Sequence, residues 1–324
     1  SAGLAAIQAI AKADPDNTTW QSDLSLAYQK VGDVQLAQSD VKSALASFQA
    51  GHDIMQALVK ANPDNAGWQR DLALTYDKLG DVAVAQRNAQ AALELFQAQL
   101  AIDDRLAKAD PTNAAWQRDL IEANLKIGDL WDAVGHLPEA LAAFNAALPI
   151  AQRLAAADAN NAIVRRDVSV ISERIGQVQE AQQDLPGALA SYRNSLAISG
   201  QLAAANPDNA GSQRDLAVAI MHVGDVRMAQ GELADALTSY RDCLAIRERL
   251  ANSNPGNVGW QLDLAGNYGK VGLLYGQTND HGNARAVFQK GQAIMDKLIA
   301  LRPDNDGWKE EQAWFAGQVA ALMK

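Results

Sequence analysis

The chain is nearly free of cysteine: Cys243 is the only one in 324 residues. A single thiol excludes an intrachain disulfide and a Cys-rich metal site, and fits a reducing, cytoplasmic setting. Aromatic residues make up only 6% of a chain that is 48% hydrophobic, so alanine carries much of the apolar content and favours closely packed helices. Basic residues are outnumbered 28 to 38, giving a net charge of -10. That balance argues against a nucleic-acid backbone or an anionic membrane as the main partner and leaves basic peptides open. There is no uninterrupted apolar run of about 18 residues, and Ser-Ala-Gly-Leu-Ala-Ala-Ile at the start lacks the charge-then-apolar order of a signal peptide. Phosphate-binding Gly-rich loops, His-Glu-x-x-His pairs and Glu-x-x-His spacings are also missing. The expectation is a protein that is not an enzyme and uses no cofactor or metal.

What is present is a repeat. Stepping by 48 residues from Trp20 lands on Trp68, Trp116, Val164, Ser212, Trp260 and Trp308. The same step carries Asn17 through Asn65, Asn113, Asn161, Asn209, Asn257 and Asn305, and Asp23 through Asp71, Asp119, Asp167, Asp215 and Asp263 to Glu311. A fixed period of this size signals stacked units, each burying its apolar face against its neighbours. The expected organisation is one array over 1–324. Residues 1–16 form a truncated second helix, six full repeats occupy 17–64, 65–112, 113–160, 161–208, 209–256 and 257–304, and 305–324 caps the end.

Each repeat divides into two helical patterns. Trp68, Leu72, Tyr76, Leu79 and Ala83 recur at spacings of three and four, marking one buried helical face that runs to about Gln86. Asn65 can accept the free amides of its first turn, and Asn88 can do the same for the second helix. That second helix carries Leu93, Phe96 and Leu100 and stops before Pro111, because the residue ahead of a proline avoids helical geometry. Pro138 and Pro186 fall just inside second-helix starts, where a missing amide hydrogen costs little. Pro149 stands inside a second helix and is expected to kink it. No alternating strand pattern competes, so the fold expected is all-α with 14 helices.

Tyr76-x-x-Leu79-Gly80 followed by Ala92-x-x-x-Phe96 resembles the core signature of the tetratricopeptide repeat. Gly32, Gly80, Gly128, Gly176, Gly224 and Gly272 recur in all six units, as do Phe48, Phe96, Phe144, Tyr192, Tyr240 and Phe288, each four residues after an alanine. The unit is longer than the family's usual ~34 residues. The additions are two blocks of nearly two helical turns each, so each helix lengthens without rotating its apolar face. The resemblance implies a right-handed superhelical solenoid of antiparallel helix pairs that binds a protein or peptide in its concave groove. Long-helix arrays of this kind also resemble C-terminal arms of larger bacterial proteins. A sensor or regulatory arm acting on its own N-terminal domain is therefore the competing reading.

The candidate partner-binding residues come from places where the copies differ. Columns common to all units, such as Lys30, Lys78, Lys126, Arg174, His222 and Lys270, or Asp33, Asp81, Asp129, Gln177 and Asp225, read first as ion pairs within a helix or between neighbouring repeats. On the face the family uses, the middle repeats become irregular: Glu122, Asp129 and Asp132 in the third, Glu173 and Glu180 in the fourth, then Val218, Met221, His222 and Met228 in the fifth. This set would suit a basic segment with an apolar anchor. Cys243 reads as a small packing residue in preference to a reactive thiol.

Overall fold

The computed structural model describes residues 2–323, the backbone alone at Ala2, so Ser1 and Lys324, the outermost residues of the expected end helices, lie outside it. The described residues form fourteen α-helices and no strand. The first helices of the repeats are α2 (Thr18–Ala37), α4 (Ala66–Ala85), α6 (Ala114–Ala133), α8 (Ala162–Ala181), α10 (Ala210–Ala229), α12 (Val258–Gln277) and α14 (Asp306–Ala321). The second helices are α1 (Ala2–Ala13), α3 (Val41–Ala61), α5 (Ala89–Ala109), α7 (Leu137–Ala157), α9 (Leu185–Ala205), α11 (Leu233–Ser253) and α13 (His281–Leu301). They gather into two compact units, one ending at Asn161 and the other starting at Ala162.

Helix starts follow from the repeated Asn. Asn17, Asn65, Asn113, Asn209, Asn257 and Asn305 each turn a side-chain oxygen onto the amide three residues on, filling a donor the helix cannot satisfy itself. The second helices are capped in the same way by Asp40, Asn88, Asp184 and Asp280. Between the two helices of a repeat the chain passes through left-handed backbone at one register position, occupied by Ser39, Arg87, Gly135, Gln183, Gly231 and Asn279. Helix ends are held by a glutamine column. The side chains of Gln21, Gln117, Gln213 and Gln261 donate to the carbonyls of Ala11, Ala107, Ala203 and Ala251, ten residues back at the end of the preceding second helix. Those carbonyls have no intrahelical partner.

Packing explains the Gly and aromatic columns. Phe48, Phe96 and Phe144 in the first unit and Tyr192, Tyr240 and Phe288 in the second are 0–2% exposed. Each lies where a Cβ on its glycine partner would stand; on Gly32 that atom would be 2.5 Å from the Phe48 ring, and on Gly224 it would be 2.8 Å from Tyr240. The first unit's core joins Phe48, Leu79 and Val82, then Phe96 and Ile127, with Met55, Leu58 and Leu72 alongside. The second unit's largest core runs from Tyr240 through Tyr268 and Leu274 to Phe288 and Phe315.

Pro149 stands inside helix α7. Helix α7 continues through it without a break. Both Pro149 and Asn145, whose carbonyl would have received the missing amide hydrogen, are exposed, so water can take that bond. The same helix is long and apolar enough by composition to span a membrane, a property hidden from a search for uninterrupted apolar runs. It packs on α6 with Ala140, Phe144, Ala147 and Ala151 buried.

Candidate interaction surface

The regular charge columns are joined across repeats. In the first unit Lys78 of α4 reaches Asp33 of α2 at 2.8 Å, Lys126 of α6 reaches Asp81 of α4, and Arg70 of α4 makes a two-point contact with Asp119 of α6. In the second unit Arg166 of α8 pairs with Asp215 of α10, Arg214 of α10 with Asp263 of α12, and Lys270 of α12 with Asp225 of α10 at 2.6 Å. The separations of 45 and 49 residues place each of these pairs between neighbouring first helices. An i,i+3 contact survives at Arg174, which donates to Gln177 at 3.1 Å. Half-exposed pairs of this kind add at most about 1 kcal/mol each, and more of their effect is to hold repeat to repeat in register.

The irregular residues divide sharply between the units. In the first, Asp129 is exposed and Asp132 half-buried on α6. Glu122 is exposed and has no hydrogen bond or ion pair in the described structure. Its carboxyl is nevertheless held above the usual range, first by desolvation and then by the charge of Asp77, with Lys126 opposing. In the second unit the candidate residues are engaged within the fold. Glu180 accepts the Tyr192 hydroxyl at 2.9 Å, His222 stacks on the Tyr192 ring at 4.7 Å, and Glu173 lies 3.6 Å from His222. Met221 and Met228 are half-buried against the core, with the Met228 sulfur 3.7 Å from the Tyr240 hydroxyl; Val218 is half-buried nearby on α10.

Sequence reasoning missed a group of buried acids behind Glu122. Asp103 of α5 is 2% exposed, and one of its oxygens has no hydrogen-bond partner; the same is true of the Gln99 oxygen one turn before it. Burial, followed by the charge of Asp119, pushes the Asp103 carboxyl up to about 7. Asp77 is also buried and raised, chiefly by desolvation. Lys126 Nζ lies 3.1 Å from its Oδ1 as an ion pair angled too poorly for a hydrogen bond. Burial alone would lower the Lys126 pKa, but the charges and hydrogen bonds of Asp77 and Asp81 outweigh it and raise it above the usual lysine value. The signal was available, because the 48-residue step aligns Asp103 with Met55, Ala151 and Met295, all of them core positions.

No three His, Cys, Asp or Glu side chains among the described residues are grouped to hold a metal ion. His52 is buried against the Thr75 hydroxyl, and its basicity is lowered by that burial. Cys243 is fully buried and its thiol is pushed up to about 11, mainly by desolvation, which keeps it in the protonated form and away from solvent.

Comparison with known proteins agrees with this architecture. Residues 216–255 match the family model described as tetratricopeptide repeat. No curated protein matches the chain. Among solved structures, BtubC (BKLC) from P. vanneervenii superposes with a TM-score of 0.63 at 17% identity, covering 80% of this chain and 92% of that one. The apo form of RapI gives 0.55 at 10% identity over 92% and 99% of the two chains. Aspartyl phosphate phosphatase F from Bacillus subtilis gives 0.55 at 13% identity over 87% and 73%. At such identities the likeness is one of fold: the chain is a helical-repeat array of tetratricopeptide type.

Proposed function

We propose that the chain is a non-catalytic scaffold that binds a protein or peptide, and that the first-helix face of its first unit receives a basic residue of that partner. The reading is carried by Glu122. It is an exposed carboxylate with no hydrogen bond or ion pair among the described residues, its ionisation is opposed first by desolvation and then by the charge of Asp77, and it belongs to a repeat fold that presents surface in place of an enclosed pocket. A lysine or arginine brought to it would relieve that repulsion and make a charge-assisted hydrogen bond. In the second unit, Glu173, Glu180, His222, Met221 and Met228 already have partners inside the fold, so they serve as a rigid wall unless a partner displaces those contacts.

Selection of random displayed peptides on the folded chain tests the proposal. Enriched peptides are expected to carry Lys or Arg, and Glu122→Gln is expected to weaken them about two- to fivefold at low salt, the range of a partly exposed charge pair. Enriched peptides without basic residues, or affinities unchanged by Glu122→Gln at every salt concentration, would overturn it.

A further inference from the structure

Three repeats carry a tyrosine at one place on the first helix, Tyr28, Tyr76 and Tyr268, whereas the third repeat has Asn124 there. In two of these repeats the tyrosine hydroxyl meets the preceding second helix, and in the other the Tyr76 ring packs edge-on against His52 of that helix. Gln8 of α1 donates to the Tyr28 hydroxyl at 2.8 Å, and the Tyr268 hydroxyl donates to Glu248 of α11. On the far side, Lys290 of α13 stands 5.3 Å from the Tyr268 ring centre, so this ring bridges the furrow between two second helices. Asn124 cannot do so. Its amide folds back onto the Leu120 carbonyl of its own helix at 2.8 Å and leaves a furrow of about 480 Å³ between α5 and α7. Leu100 and Ala101 form one wall, Ala146 and Ile150 the other, and Asp104 is the one charged residue of the lining. Asp104 occupies the register position of Gln8 and Glu248, and Ala146 that of Lys290.

We propose that this furrow is a docking site for a tyrosine side chain presented by a partner protein. The ring takes the place that Tyr28 and Tyr268 fill in their own repeats, and the hydroxyl donates to the Asp104 carboxylate. Shape and charge both select this occupant. The Leu and Ile of the two walls recur in register beside Tyr28, as Leu4 and Ile54, and beside Tyr268, as Leu244 and Ile294, and the single anionic group stands at the register position that meets the phenol hydroxyl there. Lys108 already pairs with Asp104 at 2.7 Å, but that exposed i,i+4 pair leaves the carboxylate room for a second donor. The volume falls within the ~300–1,000 Å³ of small-ligand sites, enough for a ring and the backbone that presents it. Asn124 lies two residues from Glu122, a turn of roughly 200° around α6, so this site is separate from the basic-residue site and stands or falls independently.

The test is a chemical-shift titration of the full chain with N-acetyltyrosinamide, N-acetylphenylalaninamide and N-acetylleucinamide. Saturable shifts confined to the α5, α6 and α7 residues around the furrow are expected, with the tyrosine compound binding severalfold tighter than phenylalanine and leucine weakest. Asn124→Tyr should abolish binding by filling the furrow from below. Ala146→Phe, on an exposed wall, should abolish it by a second route should the first variant fold poorly. Asp104→Ala should keep binding but erase the preference for tyrosine over phenylalanine. Shifts that are absent, lie elsewhere, persist in both blocking variants, or are as strong for leucine as for tyrosine would overturn the proposal. Binding of free p-cresol without N-acetyltyrosinamide would overturn it too, because the furrow would then admit a small molecule and no protein-borne side chain.

Discussion

A Cβ placed on Gly176 would lie 2.6 Å from Cε1 of Tyr192, closer than two non-bonded carbons approach. The two helices of a repeat therefore cross at a contact between bare backbone and the side of an aromatic ring, and the buried ring in turn fixes its hydroxyl on Glu180. A column needed by packing in this way recurs in every unit because every unit makes the same crossing.

Gly176→Ala should accordingly destabilise the second unit by about 2 kcal/mol, the usual range for overpacking a tight core. Gly266→Ala is the control, since nothing lies within 4 Å of its Cβ position in the middle of α12. There the extra methyl should stabilise by about 0.5–1 kcal/mol through helix propensity alone. Urea unfolding of the two variants should shift in opposite directions, and a shift of Gly176→Ala to higher urea would contradict the packing account.

How legible the molecule was in its sequence depended on whether a feature recurred. The Asn caps, the boundary prolines and the Gly and aromatic columns showed themselves through a single period, because local hydrogen bonding and close packing demand the same residue type each time. The Lys and Asp columns were visible, but their pairing across 45 residues in preference to three is decided by the distance between neighbouring first helices. The glutamine column stood beside Trp20, Trp116 and Trp260 unnoticed, since nothing local reveals that Gln117 reaches a carbonyl ten residues back. Met221 and Met228 broke the pattern and so drew attention, yet their apolar chains turn onto the core, as departures from a consensus often do when a neighbour has changed as well. Asn124 went unread for the opposite reason. A polar residue in place of a tyrosine looks like surface drift until the furrow it leaves is seen.

Lys126→Ala should cost about 1–2 kcal/mol, because it leaves buried Asp77 and half-buried Asp81 facing each other without a counter-ion. Lys108→Ala, which removes an exposed partner of Asp104, should change stability by no more than about 0.3 kcal/mol. Thermal unfolding at two salt concentrations separates the cases. The first loss should persist at high salt, whereas equal and salt-screened losses would mean that Lys126 is only a surface charge.

The left-handed turn between helices is held by non-glycine residues in four repeats and by Gly135 and Gly231 in two. Gln183, at φ 63°, has a Cβ in a conformation that costs about 1 kcal/mol. Gln183→Gly should raise stability by up to about 1 kcal/mol, while Gly231→Ala should lower it by a similar amount. Calorimetric melting of both variants checks the pair. A loss of stability in Gln183→Gly would show that the side chain earns its place by contacts elsewhere.

Asp103 should make the first unit less stable as the solution becomes alkaline. Its carboxyl is raised from the ordinary 3.8 to about 7, chiefly by burial, so between those values the folded chain holds a proton that the unfolded chain has lost. Stability contributed by that proton is fully present below about pH 4, falls as pH rises through the window to about 7, and is gone above it. The shift bounds the effect at roughly 4 kcal/mol, and relaxation around the charge should bring it nearer 2 kcal/mol. Asp71, Asp77 and Glu122 are displaced in the same direction, mainly by desolvation, and tilt the profile the same way. Asp40, Asp110, Asp280 and Asp306 are lowered and tilt it oppositely, so the comparison of one variant with its parent isolates Asp103. Asp103→Asn removes the titration and keeps the shape. Its unfolding midpoint should match the parent's near pH 4, exceed it increasingly as pH rises to about 7, and keep that margin at pH 8. Equal midpoints at pH 8 would mean that the ionised carboxylate finds water or a cation in the folded chain, and that the buried acid carries no charge penalty.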